Sequence, residues 1–136
     1  MQFEFSGKAG ERNKFAEAFE GYCREHCVPD SVRQAADLAL EEHLTNVLSY
    51  GFEPGAEIYA VARLNVANGC LAVEVADTGK PFNPLEVPPV DTTTPLEEKP
   101  IGGLGIHLMR QFMDDLIYAH DGKRNILEMR KRFPPA

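Results

Sequence analysis

No apolar run in this 136-residue chain approaches the roughly 18 to 20 residues that a membrane-spanning helix needs. The opening Met1-Gln2-Phe3-Glu4-Phe5 lacks the basic-then-apolar order of a secretory leader, so a cytoplasmic protein is expected. Positive charge is scarce as well. Fourteen Lys and Arg against 21 Asp and Glu leave a net charge of -7. That balance repels a phosphate backbone and argues against nucleic acid as a direct partner. A phosphate ligand must instead be held by backbone amides, a metal ion or a few local cations. Cysteines are few and odd in number, three, which fits a reduced compartment. Cys23 and Cys27 lie four apart beside His26, but a zinc site needs about four ligands and no second pair follows. They are read as small packing residues.

What remains is an ordinary globular composition, 43% hydrophobic and 26% charged, which excludes a disordered or fibrous chain. Its length argues for one domain, 1–136. Gln2 to Phe5 alternates like a half-buried strand. Phe15, Ala16, Phe19, Tyr22 and Cys23 recur at helical spacing up to about His26. After Val28-Pro29, Asp30 reads as the N-cap of a longer helix to about Tyr50, ended by Gly51 and the Pro54-Gly55 turn. Glu57–Asn65 and Cys70–Ala76 alternate around Asn68-Gly69, a strong hairpin signal. Residues 78–101 carry six prolines and no period, as a functional lid or a disordered segment does; the lid is placed at about 80–101. A helix follows from the Gly102–Gly105 turn, then a hairpin of Asp115–His120 and Ile126–Phe133 around Asp121-Gly122. The order β, α, α, β, β, lid, α, β, β predicts an α/β (α+β) two-layer sandwich: a mixed, mainly antiparallel sheet with its helices on one face.

Three local patterns carry chemistry. On the long helix, Gln34, Asp37 and Glu41 form a solvent stripe, and Ala36, Leu40, Leu44 and Val47 point to the core. Glu42 and Asn46 fall on a third face with Ala35, Leu38, Thr45 and Ser49. They are either an exposed polar pair or the wall of a polar pocket. In a pocket, the amide oxygen suits Mg²⁺ and the carboxylate one turn away suits a general base. Asp77-Thr78-Gly79-Lys80-Pro81-Phe82 runs from a strand into a turn. Beyond a plain turn, Asp77 there can accept from the exocyclic amine of a base, with Gly79 leaving room for a flat ring. Gly102-Gly103-Leu104-Gly105 enters a helix, where backbone N–H groups and the helix dipole favour an anion. It is neither a Walker A loop, since no Gly-Lys-Ser/Thr follows, nor a Rossmann turn, since no strand immediately precedes it.

In this order the three patterns resemble the N box (Glu42-x-x-x-Asn46, then Tyr50-Gly51) and the two glycine boxes of the histidine-kinase-like ATPase superfamily, which gyrase, sensor histidine kinases and MutL share as the Bergerat fold. Within it the chain is most similar to the free-standing anti-sigma factor serine/threonine kinases of the RsbW and SpoIIAB type. Thr45-Asn46, Pro95-Leu96-Glu97-Glu98 and Gly105-Ile106-His107-Leu108-Met109-Arg110 carry that likeness. The resemblance implies ATP and Mg²⁺ as cofactors, with the lid between the glycine boxes. Asn46 would coordinate the metal and Asp77 would bind the adenine amino group, with Gly79 and Phe82 beside it. Gly102, Gly103, Leu104 and Gly105 would meet the phosphates, and Glu42 would be the catalytic base toward a serine or threonine hydroxyl. Lys99, the nearest cation to the phosphate turn, would neutralise phosphate charge or be an exposed lid lysine. The implied partners are an anti-sigma factor antagonist, as substrate, and a sigma factor, which is sequestered. The alternative is an ATP-dependent partner-switching module with little turnover. A homodimer is implied, although Phe3, Phe5, Phe15 and Phe19 serve a monomer's core equally well. No phospho-accepting histidine hairpin precedes the domain, so a two-component sensor kinase is not expected. His26, His43, His107 and His120 receive no role.

Overall fold

A computed structural model describes residues 1–86 and 103–134. The chain runs β1 (Gln2–Phe5), α1 (Glu11–Glu25), α2 (Asp30–Tyr50), β2 (Ala60–Ala67) and β3 (Cys70–Asp77). A short 3-10 turn (Pro84–Glu86) follows, then α3 (Gly103–Phe112), β4 (Asp115–His120) and β5 (Asn125–Arg132). The strands form one sheet in the order β1-β2-β3-β5-β4, and every neighbouring pair is antiparallel. Sequence order alone leaves a parallel pair open, because the crossover through α3 brings β4 back in the direction of β3. β5 slots between them and removes the parallel contact. Most of the expected lid, from residue 87 onward, lies outside the described residues.

Alternation on the strands builds the core. Ala60, Ala62 and Leu64 of β2, Leu71, Val73 and Val75 of β3, and Leu127 and Met129 of β5 share one buried face. Against it lie Phe15 and Phe19 of α1, Leu40, Leu44 and Val47 of α2, and Ile106 and Met109 of α3. The four phenylalanines near the start belong to this core: Phe3 meets Phe5 at 5.0 Å between ring centroids and Phe15 at 5.4 Å, and Phe15 stacks on Phe19 at 5.9 Å. Between β2 and β3, Asn68 (φ 52°) and Gly69 (φ 69°) both take the left-handed conformation that a two-residue hairpin turn requires.

The start of α2 differs from expectation. Asp30 makes no capping hydrogen bond; Pro29 holds the N-cap position with φ -59° and ψ 146°, and Asp30 is the first helical residue. The proline ring fixes the extended approach, so the helix begins without a side-chain cap, and the Asp30 charge faces the positive end of the helix dipole. Among the described residues no helix is long and apolar enough to cross a membrane.

Candidate functional site

The site lies where the second half of α2 passes the ends of β3 and β5. On β3 the inward positions Leu71, Val73 and Val75 are followed by Asp77, so the strand's last inward side chain is a carboxylate, buried at 3% exposure. β5 places Asn125 directly opposite it. On α2, His43, Asn46, Val47 and Tyr50 recur at i, i+3, i+4 and i+7 and form the facing wall. The loop after β3 adds Lys80, Pro81 and Phe82, and β4 adds Tyr118. Together they enclose a cavity of about 300 Å³ that both Asn46 and Asp77 line.

Asn125 holds this corner together. Its Nδ2 donates to Asp77 Oδ1 (3.1 Å), Lys80 O (2.8 Å) and Gly79 O (3.3 Å). Its Oδ1 accepts from Phe82 N (2.9 Å) and from the Tyr118 hydroxyl (2.6 Å). With acceptors on one side and donors on the other, only one orientation of the amide satisfies the network. Gly79 N also donates to Asp77 Oδ1, at 2.9 Å. Asp77 Oδ1 is thereby committed, while Oδ2 has no donor among the described residues. The carboxylate therefore keeps an acceptor for a ligand's N–H.

Gly79 is required for a reason other than the one expected. A Cβ there would lie 2.5 Å from the carbonyl oxygen of Gly51 and 3.0 Å from Asp77 Oδ1. The space is occupied by the end of α2, whose Gly51 carbonyl also accepts from Lys80 N at 2.8 Å. Gly79→Ala is expected to destabilise the fold by about 2 kcal/mol through overpacking, seen as a lower urea midpoint. Gly21→Ala, where a Cβ meets nothing within 4 Å, is the control without that cost.

Asn46 lines the cavity with its Nδ2 buried and without a partner among the described residues. Glu42, one turn earlier, is half-buried and outside the cavity lining, with no hydrogen bond or ion pair among the described residues. Its neighbour Glu41 is instead paired with Arg12, whose Nη2 also donates to Thr45 Oγ1 at 3.0 Å. The face that Glu42 and Asn46 were expected to share is thus split. The cavity stripe runs through 43, 46, 47 and 50, and Glu42 sits at its margin. Gly103, Leu104 and Gly105 form the first turn of α3. Lys99 and Gly102 lie outside the described residues.

A family model of the histidine kinase-like ATPase domain matches residues 7–131. The chain belongs to that family. The serine-protein kinase RsbW of Bacillus mycoides (strain KBAB4) is 33% identical over 95 residues, which cover 66% of this chain and 58% of that protein. RsbW of Bacillus thuringiensis (strain Al Hakam) is 29% identical over 94 residues, with the same coverage. The chain therefore spans less than two thirds of the length of these relatives. The histidine kinase domain of the Erythrobacter litoralis EL346 blue-light activated histidine kinase superposes with a TM-score of 0.52 at 18% identity. That match covers 89% of this chain and 62% of that one, a likeness of fold.

Membership of the histidine kinase-like ATPase family implies ATP binding. Asn125 and His43 are among the cavity residues to which the motifs give no role. Asn125 had a signal: it shares the inward parity of Leu127 and Met129, so a polar residue stands where the core pattern asks for an apolar one. His43 lies on the boundary between the core stripe and the third face of α2. It is buried, and neither ring nitrogen has a partner among the described residues.

Burial lowers the His43 pKa from 6.5 to about 4. Below pH 6.5 the unfolded chain takes up a proton that the folded chain refuses, so this residue makes stability fall as pH drops from about 6.5 toward 4. Asp77 works in the opposite sense. Burial raises its pKa above 3.8, against the lowering pull of Asn125 and Gly79, so acid relieves its penalty. The two are separated by variant: between pH 7 and 5 the fall in urea midpoint should be smaller for His43→Phe than for the wild type.

Proposed function

We propose that the chain is an ATP-binding anti-sigma regulatory factor with protein serine/threonine kinase activity. It phosphorylates an anti-sigma factor antagonist and, in the other branch of a partner switch, sequesters a sigma factor. The observation that carries this is the shared cavity. Asn46 and Asp77 come from distant parts of the sequence and line one space, and Glu42, whose carboxylate has no partner among the described residues, stands one helical turn from Asn46. Similarity to RsbW serine-protein kinases supports the choice of hydroxyl phosphorylation over other uses of an ATP site.

The donor set fits magnesium carried by the nucleotide. Among the described residues no group of three or more His, Cys, Asp or Glu is placed to hold a metal. Mg²⁺ bound through substrate phosphates and water needs only one or two protein oxygens, and the Asn46 amide has no competing hydrogen bond among the described residues. Bound Mg-ATP supplies a transferable phosphoryl group. The chain's own residues do the rest. Asp77 Oδ2 would accept from the adenine amino group, and Phe82, tied to Asn125 through its backbone, would wall the base. The amides of Gly102, Gly103, Leu104 and Gly105 are the groups that would meet the phosphates, and the dipole of α3 favours negative charge at its start. Lys99 would neutralise phosphate charge, and Glu42 would take the proton of the attacking hydroxyl. Positioning and charge neutralisation account for most of phosphoryl-transfer catalysis, so this small set suffices.

The experiment is transfer itself. The full chain is incubated with γ-labelled ATP and candidate antagonist proteins, and label is sought on serine or threonine. Stoichiometric transfer is expected. Mg-ATP binding without transfer to any candidate would leave the partner-switching module.

A further inference from the structure

Two polar groups of α2 line the cavity with nothing to bind. The Asn46 amide is assigned above to the metal. His43, just under one turn earlier, stands at an unspecified position of the N box. Both of its ring nitrogens are buried without a partner among the described residues, and the residue is 4% exposed. Buried polar groups in folded proteins are nearly always paired, and an unpaired one needs a cause. Packing does not provide it, since an apolar ring would fill the same space without the desolvation cost.

Position along α2 indicates which part of a ligand reaches this ring. Gly51, at the end of the helix, accepts from Lys80 N at 2.8 Å, so that end adjoins the Asp77 loop. His43 lies eight residues earlier, about 12 Å along the axis, with Asn46 between. One cavity passes all three. A nucleotide with its base at Asp77 and its metal at Asn46 would run along α2 in the direction of His43.

We propose, resting on the ATP assignment above, that His43 is a specificity-determining residue of the site: it donates a ring N–H to the polyphosphate chain and so favours ATP and ADP over adenosine. A neutral imidazole carries a hydrogen on one nitrogen and a lone pair on the other. Phosphate oxygens only accept, so the protonated nitrogen is the one that turns toward them. An unspecified position of the N box thereby contributes to ligand choice as well as to the core.

Calorimetric titration of the full chain and of His43→Phe, with Mg-ATP and with adenosine, tests this. The variant is expected to bind Mg-ATP about tenfold more weakly, the weight of one hydrogen bond, and adenosine as before. Its melting temperature without ligand should be equal or higher, because an unpaired polar ring has been replaced by an apolar one. Unchanged Mg-ATP affinity, or parallel loss of both ligands with a lowered melting temperature, would overturn the proposal. Should the variant fail to fold, ¹⁵N-histidine spectra of the wild type decide. The His43 ring resonances should move on saturation with Mg-ATP and stay in place with adenosine; no movement with Mg-ATP overturns the proposal. A wild type that binds no Mg-ATP at all is a different failure, which removes the ATP assignment beneath it.

Discussion

Glu42→Gln is expected to slow phosphate transfer to serine or threonine by about 100-fold or more, the usual weight of a general base, while Mg-ATP affinity stays unchanged. The separation follows from where Glu42 stands. It is outside the lining of the cavity, so the nucleotide does not depend on it, yet it is one turn from Asn46 at the cavity's margin. Its carboxylate has no partner among the described residues. Glu41 beside it is tied up by Arg12 and cannot take over. Glutamine keeps the shape and removes the ability to accept a proton. Quench-flow or filter-bound counting of transferred label reads the rate, and calorimetry reads the affinity. A transfer rate equal to that of the wild type would reduce Glu42 to a surface residue of α2.

Asp77→Asn is expected to weaken ATP by roughly 100-fold, the loss of a charge-assisted hydrogen bond together with a mismatched donor, and to shift preference toward GTP. The substituted amide keeps an oxygen where Oδ1 now accepts from Gly79 N and Asn125 Nδ2, so the corner of the site survives. Where Oδ2 stood, the amide puts an N–H. That group opposes the amine of adenine and complements the carbonyl of guanine. Competition binding with the two nucleotides gives the ratio directly, and a ratio that does not move would take Asp77 out of base recognition.

The elements were largely legible in the sequence, and the site was legible in part. Alternation and the Asn68-Gly69 turn locate β2 and β3, and the stripe Ala36, Leu40, Leu44 and Val47 gives the core face of α2, because these signals are local and periodic. The dense patterns around Asn46 and Asp77 could be noticed for the same reason. Asn125 could not be tied to Asp77 before the register of β5 was known: their pairing is set by strand order across the sheet, and nothing near Asn125 in the sequence refers to residue 77. Gly79 shows the limit differently. A glycine after a strand reads as a turn or as room for a ligand, and only the folded chain shows the Gly51 carbonyl packed against it. His43 escaped because a histidine on the edge of an apolar stripe looks like any boundary residue until its nitrogens are found buried and unpaired. The Pro29 start of α2 is a local competition, in which the ring's fixed φ prevails over the capping preference of Asp30.

That one cavity between α2 and the ends of β3 and β5 receives Mg-ATP is tested most directly by thermal unfolding of the full chain with and without millimolar Mg-ATP. A ligand at about 100 times its dissociation constant adds about 2.7 kcal/mol to the native state, which for a chain of this size raises the melting temperature by several degrees. The predicted result is a rise that grows with Mg-ATP concentration and is diminished in Asp77→Asn. A melting temperature indifferent to Mg-ATP across the millimolar range would contradict the account.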